Sequence, residues 1–378
     1  MKLFNLLFIY SILFVCGCQT NNQDNGDLLQ IDIDMEHMES ISSTELFEEI
    51  TLIPLATTDS ILLGICYPIF TDSCYFMRDN SQQELSVFKS NGEFKFKISN
   101  QGKGPQKYSY LTGICYNPFS QEIILLDLTN KVHIYDINGQ FIENRRIDSC
   151  MNIENILPIS ADTLLIIDGH EFSDYYIYAY GDNQVVNRVK DSGYHLNTKK
   201  FYIYNNDLYH FKWYSNIIYK VHNNKITPCY RLNFSQSDFH KGEIQELFRQ
   251  INANRYDDDK LTSLIAQNFQ YIIRDMHEND NYIFITLNRT DKNFENQYII
   301  YDKRKCKAYR FNPDKEGVVW GNWNDCLSSK YYTTFVDAIE KECINYKNLS
   351  TNNKLIYDKV GENDNPIIVR YKFKENIR

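Results

Sequence analysis

Residues 132–142 read VHIYDINGQFI and have the pattern of a tight β-hairpin. Apolar residues alternate with other residues on both sides of Asn138-Gly139, and Asn-Gly suits a two-residue turn that needs positive φ. The same pattern of strand, polar turn and strand recurs in residues 85–98, 176–186, 217–226 and 298–309. The stretch is therefore one copy of a repeated antiparallel unit.

The spacing of these hairpins indicates the architecture. Equivalent positions are 47, 43 and 41 residues apart: Val87, Ile134, Ile177 and Ile218. The next interval, to Ile299, is 81 residues, which fits one repeat plus an insertion. Other apolar strands precede the hairpins, and four strands every 40–50 residues is typical of a propeller blade. Unrelated hairpins in a β-sandwich would not explain the near-constant interval.

We therefore predict an all-β fold, a six-bladed β-propeller of four-stranded antiparallel blades with short helical insertions. Five hairpins give five blades, and we expect residues 320–323, 354–357 and 366–373 to supply strands of the sixth. The early strand 50–55 is expected to complete that blade and close the ring, because closure removes exposed sheet edges. Pro54 is tolerated at an outer edge better than in a central strand.

Three segments break the strand pattern. Apolar residues have helical spacing in 242–251, and short helical stretches are also predicted at 260–269 and 333–346. We expect all three to pack on one end or rim of the ring.

The amino-terminal residues have the features of a lipoprotein export signal. Lys2 precedes an apolar run from Leu3 to Val15, which is too short to span a membrane. Small residues then lead to Cys18, which we expect to be acylated; Cys16 is the rival position. The alternatives are cleavage at another site and an uncleaved anchor. The prediction is an exported lipoprotein anchored in the outer membrane through its lipid, on either the periplasmic or the surface face.

These features divide the chain into three parts. Residues 1–17 form the signal peptide, residues 18–45 a lipidated tether and lead-in, and residues 46–378 a single propeller with a helical insertion at about 236–269. Eight cysteines remain after the signal and the lipidated residue are set aside. They form no CxxC pair and no zinc-spaced cluster, and most read as small buried apolar residues.

Charge and composition restrict the partners. The formal net charge is −9 and moves to about −10 when Lys2 is removed with the signal. An acidic chain argues against binding to nucleic acid, which depends on Lys and Arg neutralising phosphates. The 29 tyrosines and 23 phenylalanines favour strands, so they indicate an all-β protein more than a ligand cage.

Few residues suggest chemistry, since GxSxG, HExxH and EF-hand patterns are absent. Asp168, His170 and Glu171 follow a predicted strand closely enough to bind a metal or act in acid–base chemistry, although solvated loop residues are the ordinary interpretation. Trp213, with Trp320 and Trp323, is a candidate for stacking on a ligand, against a packing role. Arg274 and Arg289 are expected to pair between blades more than to clamp a carboxylate.

The loop NQGKGPQKY at residues 100–108 contains Gly102, Lys103, Gly104, Pro105 and Tyr108. A phosphate-binding loop needs GxxxxGK[ST] between a strand and a helix, and proline lacks the N–H that such a cradle uses. We interpret the loop as the crossing from the outer strand of blade 1 to the inner strand of blade 2. Its glycines supply positive φ, and a ligand role for Lys103 is the lesser alternative.

Several of these motifs together resemble a known group. They are the lipobox ending at Cys18, IPLATT at 53–58, the loop at 102–108, IYDING at 134–139 and NPIIVRYK at 365–372. The chain resembles the NHL-like six-bladed β-propeller lipoproteins of Bacteroides-type gut bacteria. The group's loop reads roughly GxGPGEY, and this chain has Gln106 and Lys107 where Gly and Glu are usual. The resemblance implies the fold and no particular reaction.

The function expected from these observations is a non-enzymatic binding or interaction scaffold of the cell envelope. Loops at one mouth of the ring would hold a peptide, glycan or protein, because propellers are rigid rings with variable loops. The alternative is a metal-dependent lyase or hydrolase of the NHL type, with the metal as its cofactor. A third candidate is a structural subunit of an envelope complex.

Overall fold

The computed structural model describes residues 28–148, 153–168, 175–189 without 181 and 183, 199–234 without 206, 213–214 and 223–224, and 257–374 without 321–325 and 329, together with 250 and 253. Within these residues six small antiparallel sheets follow one another along the chain and form a ring. The predicted six-bladed β-propeller is thereby confirmed. The Asn-Gly hairpin is confirmed as well: Gly139 has a φ of +80°, and a Cβ there would lie 2.6 Å from the ring of Phe96.

The strands are numbered from first to fourth within each blade. Blade 1 contains Cys66–Phe70, Cys74–Asp79, Glu84–Lys89 and Phe94–Ile98. Blade 2 contains Leu111–Asn117, Glu122–Asp127, Lys131–Asp136 and Phe141–Arg146. Blade 3 contains Ile153–Pro158, Thr163–Asp168, Tyr175–Ala179 and Gln184–Val189.

The second half of the ring follows the same plan. Blade 4 contains Lys199–Tyr204, Asp207–Lys212, Ile217–His222 and Lys225–Phe234. Blade 5 contains Tyr271–Glu278, Tyr282–Arg289, Glu295–Asp302 and Lys307–Phe311. Blade 6 contains Cys326–Leu327, Tyr331–Val336, Ile367–Phe373 and, as its fourth strand, the early segment Phe47–Pro54.

The order of strands defines two ends of the ring. First strands of neighbouring blades contact each other, as between blades 2 and 3 and between blades 4 and 5, so they line the centre. In each antiparallel blade the turn from the second to the third strand lies at the same end as the crossing to the next blade. We call this the crossing end, and the opposite one, with the remaining turns, the hairpin end.

Ring closure follows the prediction. Phe47–Pro54 pairs antiparallel with Ile367–Phe373, and Pro54 lies opposite Ile367 at the outer edge of blade 6. The free edge of this strand is covered by the helix Thr351–Lys359, since the Asn353 side chain accepts a hydrogen bond from the Leu52 N–H and donates one to the Ile50 carbonyl. Covering the edge satisfies backbone groups that could otherwise pair with another chain.

The amino-terminal segment forms a belt around three blades, which the sequence did not predict. Leu29–Ile33 adds to blade 4 as a fifth strand, parallel to Lys225–Phe234. The chain then pairs with Arg310 on the outer strand of blade 5, through the Glu39 carbonyl and the Ile41 N–H, before entering blade 6. Ile31 and Ile33 are fully buried, so this part of the lead-in belongs to the folded ring.

Six apolar clusters fill the spaces between consecutive blades. Each combines side chains of two neighbours; for example, Phe76 of blade 1 packs with Leu125 of blade 2, and Phe335 of blade 6 packs with Phe70 of blade 1. The cluster between blades 4 and 5 also takes in Ile31, Ile33 and Ile265. Burying apolar area contributes about 25 cal/mol per Å², so the ring is stabilised chiefly at these interfaces.

Blade 6 and its neighbourhood required corrections. Residues 354–357 are not a strand; they belong to the helix Thr351–Lys359, which begins at Ser350 with a side-chain cap to the Asn353 N–H. The helix predicted at 333–346 begins instead as the strand Tyr331–Val336 and continues as 3-10 turns at Ala338–Cys343 and Tyr346–Asn348. Residues 321–323 and most of 242–251 lie outside the described residues.

The other helices are short. The helix Asp258–Asn268 confirms the stretch predicted at 260–269, and its Ile265 packs into the ring as expected. Further helical turns lie at Ser43–Leu46, Thr290–Lys292 and Pro313–Glu316. No helix among the described residues is long and apolar enough to cross a membrane.

The cysteines fit the buried interpretation only in part. Cys74 and Cys115 are buried, Cys66 and Cys229 are half-buried, and Cys306 and Cys343 are exposed. All six are free thiols.

Candidate functional site

Two aspartates build the crossing end of blades 1 and 2. Asp79 and Asp127 are the last residues of their second strands and face the first residues of the first strands, Cys66 and Leu111. One oxygen of Asp79 accepts from the Gly64 N–H at 2.5 Å, and the same oxygen of Asp127 accepts from the Ser109 N–H at 2.9 Å.

The second oxygen of each aspartate holds the following turn. Asp79 Oδ1 accepts from the Ser81 and Gln82 N–H groups at 2.8 and 2.9 Å, and Asp127 Oδ1 accepts from the Thr129 N–H. Each carboxylate therefore joins the turn after the second strand to the chain that enters the first strand. The repeated bracket fixes the backbone from which the mouth side chains project.

Asp168 takes the equivalent register position in blade 3. It ends the strand Thr163–Asp168 and pairs with Ile153, the first residue of its blade. The side chain of Asp168 is outside the described part of the structure, so its metal or acid–base role stays a prediction. His170, Glu171 and Trp213 lie outside the described residues, so the cluster that includes them stays a prediction.

The loop from Asn100 to Tyr108 crosses between blades 1 and 2, as predicted. Gly102 and Gly104 have φ of +144° and +151°, the conformations that required glycine. Tyr108 is fully buried, donates to the Gln83 carbonyl at 2.7 Å and accepts from the Asn100 N–H at 3.0 Å. Lys103 and Pro105 are exposed at the loop tip. The geometry is that of an anchored crossing.

Four exposed side chains surround this part of the crossing end. Ile65 and Tyr110 immediately precede first strands, Tyr67 lies within one, and Leu128 follows a second strand. The Leu128 N–H donates to the Tyr110 carbonyl at 2.9 Å, and the Asn80 N–H donates to the Ile65 carbonyl at 2.8 Å. We call Ile65, Tyr67, Tyr110 and Leu128 the mouth surface; their exposed fractions run from 41% to 65%.

A buried arginine lies beneath the mouth surface. Arg78 is 9% exposed, and its guanidinium carbon lies 4.5 Å from the ring centroid of Tyr67, its cross-strand partner. Among the described residues Nη1 donates to the Leu111 carbonyl at 3.1 Å and to Asn80 Oδ1 at 3.3 Å, and no carboxylate pairs with the guanidinium. Burial lowers the pKa of Arg78, while the neighbouring Tyr67, Tyr110 and Cys66 raise it.

Blade 6 brings a carboxylate to the same region. Asp337 directly follows the second strand of blade 6, and its negative charge acts on Cys66. Desolvation, and secondly the charge of Glu340, raise the pKa of Asp337. Burial, followed by Asp79 and Asp337, raises the pKa of the Cys66 thiol, so this cysteine is not an activated nucleophile.

Further titratable groups are buried inside the ring, His133 and Glu278 among them. His133 is fully buried and its Nε2 lies 3.7 Å from Asp127 Oδ2; burial lowers its pKa despite the attraction of that carboxylate. Glu278 accepts hydrogen bonds from Tyr202 and Tyr230 at 2.9 and 2.8 Å and pairs with Lys303 at 2.6 Å. The hydrogen bonds of Glu278 tie blade 4 to blade 5.

The remaining predicted residues have structural surroundings. Trp320 stacks on Tyr332 with centroids 4.2 Å apart and also packs against Phe284 and Phe311, which supports the packing interpretation. Arg289 binds Asp291 of its own blade with two hydrogen bonds, so the pairing between blades expected for it was wrong. Trp323 lies outside the described residues. In the described part of the chain no group of three or more His, Cys, Asp or Glu side chains could hold a metal ion.

The sequence analysis missed Arg78, Tyr67 and Tyr110. None belongs to a motif, and only the pairing of Tyr67 with Arg78 across two strands brings the ring over the guanidinium. The signal available was an arginine that directly follows four apolar residues in the strand CYFMRD at 74–79.

These features define a six-bladed β-propeller with an exposed aromatic and aliphatic mouth at its crossing end. The chain belongs to the family described as domain of unknown function DUF4934, whose sequence model matches residues 28–372. No protein among the curated ones matches the chain.

Comparison with solved structures gives one match above a TM-score of 0.5 and one below it among the two described next. A Bacteroides fragilis protein, inferred to be exported, has a TM-score of 0.70 at 17% identity, covering 92% of this chain and 100% of its own. A DUF4221 family member from Bacteroides vulgatus has a TM-score of 0.48 at 13% identity, covering 87% and 97% of the two chains. At such identities the first likeness concerns the fold alone, and the NHL-like lipoprotein group stays a prediction from the sequence.

Proposed function

We propose that the protein is an exported, lipid-anchored binding protein of the cell envelope, which holds a peptide, glycan or protein ligand at the mouth surface without catalysing a reaction. One observation carries the proposal: two exposed tyrosines and two exposed aliphatic side chains lie at the crossing end of blades 1 and 2, where the ring of Tyr67 covers a buried arginine that has no carboxylate partner among the described residues. Exposed apolar groups around a few placed polar ones are typical of a binding site.

A thermal-shift screen of the full-length protein in detergent tests the proposal. The panel contains glycans, peptides and divalent metal ions, and a ligand at a hundred times its dissociation constant adds about 2.7 kcal/mol of stability. We expect a glycan or peptide to raise the melting temperature of the wild type and to lose its effect on Tyr67→Ala/Tyr110→Ala. The matched control is Ile142→Ala, which removes an exposed side chain from an outer strand.

The screen also separates the proposal from its rivals. Stoichiometric bound metal with metal-dependent turnover would contradict it in favour of the metal-dependent enzyme. A ligand that raises the melting temperature equally in the wild type and in the double tyrosine variant would show that it does not bind at the mouth surface.

A further inference from the structure

The chemistry of the mouth surface narrows the choice among a peptide, a glycan and a protein ligand. This inference rests on the proposed function. Arg78 is a buried cation whose described hydrogen bonds leave from Nη1 alone. The acceptors are a backbone carbonyl and an amide oxygen, and neither neutralises the charge. A buried charge without a partner is costly, so a ligand that supplies the missing anion binds favourably.

The geometry favours a planar carboxylate. The Tyr67 ring centroid lies 4.5 Å from the guanidinium carbon, so the ring covers one side of the group. Both described hydrogen bonds leave from Nη1, which leaves Nε and Nη2 for a ligand. The edge of a guanidinium presents parallel N–H donors that match the two oxygens of a carboxylate. Tyr110 of blade 2 immediately precedes Leu111, whose carbonyl accepts the hydrogen bond from Arg78 Nη1 at 3.1 Å.

The surrounding side chains favour a peptide over a sugar acid. Ile65 and Leu128 are each 65% exposed, and Ile339, two residues beyond Asp337, is 70% exposed. These aliphatic groups offer no hydrogen bonds to the many hydroxyls of a glycan but complement apolar side chains.

We propose that the mouth surface binds the free carboxyl terminus of a peptide with apolar final residues, with the carboxylate held by Arg78 and the apolar side chains packed on Tyr67, Tyr110, Ile65 and Leu128. Capture of a terminal carboxylate is one of the recurring modes of peptide recognition. A peptide carboxyl terminus provides one planar anion next to apolar side chains. The mouth surface provides the complementary cation, Arg78, next to exposed apolar and aromatic side chains.

A paired library tests the inference. Tripeptides with apolar residues at the last two positions are prepared as free acids and as carboxamides, and their binding to full-length protein in detergent is measured by fluorescence polarisation. We expect acids to bind about 10- to 100-fold more tightly than the matching amides, the loss that follows when a hydrogen-bonded charge is removed. Oligosaccharides with a terminal uronic acid form the comparison arm.

Substitutions test whether Arg78 is responsible for the preference for acids over amides. Arg78→Gln should abolish the preference for acids, and Arg78→Lys should reduce it, because lysine keeps the charge without the planar fork. Lys95→Gln is the matched control: Lys95 is another cation of blade 1 that donates to a blade 2 carbonyl, that of Ile137 at 2.8 Å, outside the mouth surface. Near-ultraviolet circular dichroism verifies the fold, and the comparison of acid with amide on the wild type needs no variant.

The outcomes are distinct. Equal binding of acids and amides would overturn the carboxylate inference while leaving the proposed binding function in place. Tighter binding of uronic acid oligosaccharides than of any peptide acid would overturn the choice of a peptide. Binding of neither library, with a positive result for a neutral glycan or protein in the thermal-shift screen, would contradict this inference alone, whereas failure of both experiments would contradict the proposed function too.

Discussion

Asp79 and Asp127 show how single residues shape the mouth. Each side chain accepts hydrogen bonds from backbone N–H groups of two separate stretches of chain. It thereby satisfies N–H groups that have no partner within the sheet. Burial opposes ionisation of Asp127, but the hydrogen bonds from Thr129 and Ser109 keep its pKa below the usual range. The ring thus depends on carboxylates that were not singled out from the sequence.

We predict that Asp127→Ala lowers the free energy of unfolding by about 2–3 kcal/mol, because it leaves buried N–H groups without an acceptor. The control is Asp148→Ala, since the exposed Asp148 pairs with the exposed Arg146 and its loss should change stability by less than about 1 kcal/mol. Urea unfolding measures both variants; an Asp127→Ala variant as stable as Asp148→Ala would contradict the bracket.

His133 predicts a pH dependence. The unfolded histidine takes up a proton near pH 6.5, whereas burial holds the pKa of the folded one lower. The unfolded state therefore binds more protons below this pH, and the contribution of His133 to the free energy of unfolding falls as the pH decreases.

We expect His133→Phe to flatten the decline of the melting temperature between about pH 7 and pH 5, because phenylalanine fills the same space without titrating. Calorimetry at several pH values measures the slopes. Parallel curves for the wild type and the variant would show that His133 does not contribute in this way.

At the scale of elements, the amino-terminal belt was the part that local patterns could not reveal. Leu29–Ile33 is a short strand with alternating apolar residues, but its partner lies about 200 positions later in the chain, at Tyr230–Phe234. A parallel pairing at such separation leaves no turn signature. Blade 6 was misread for a related reason, since LIY at 355–357 fits a strand pattern, whereas the cap at Ser350 makes it helical.

We predict that Ile31→Ser destabilises the protein by about 2–5 kcal/mol, because it removes a fully buried side chain from the interface of blades 4 and 5 and buries a hydroxyl. Gln30→Ser, at the exposed neighbouring position of the same strand, is the control and should be nearly neutral. Hydrogen exchange of Lys225–Phe234 provides the readout, which should quicken only in the Ile31 variant. Equal protection in both would mean that the belt does not support blade 4.

For the whole molecule, the period of the hairpins predicted a ring and five of its blades, and the need to remove exposed sheet edges predicted that the early strand would complete the sixth blade. The reason is physical: a blade is a local meander, so each copy leaves its own alternation and turn in the sequence. The binding surface is different, because Ile65, Tyr67, Tyr110 and Leu128 come from two blades and meet only through the register of Tyr67 with Arg78 and the aspartate brackets. The interval between hairpins in the sequence carries no information about which side chains of two blades lie together.

Site-specific photo-crosslinking in the native envelope tests the central claim, that ligand binds at the mouth surface. A photoreactive phenylalanine analogue replaces Ile65 of the mouth surface or, as a control, Ile142 on the outer strand of blade 2; both side chains are exposed. We predict that position 65 captures a discrete species, that Arg78→Gln reduces its yield, and that position 142 captures none. Capture at position 142 with nothing at position 65 would place binding on the outer face of the ring and contradict the claim.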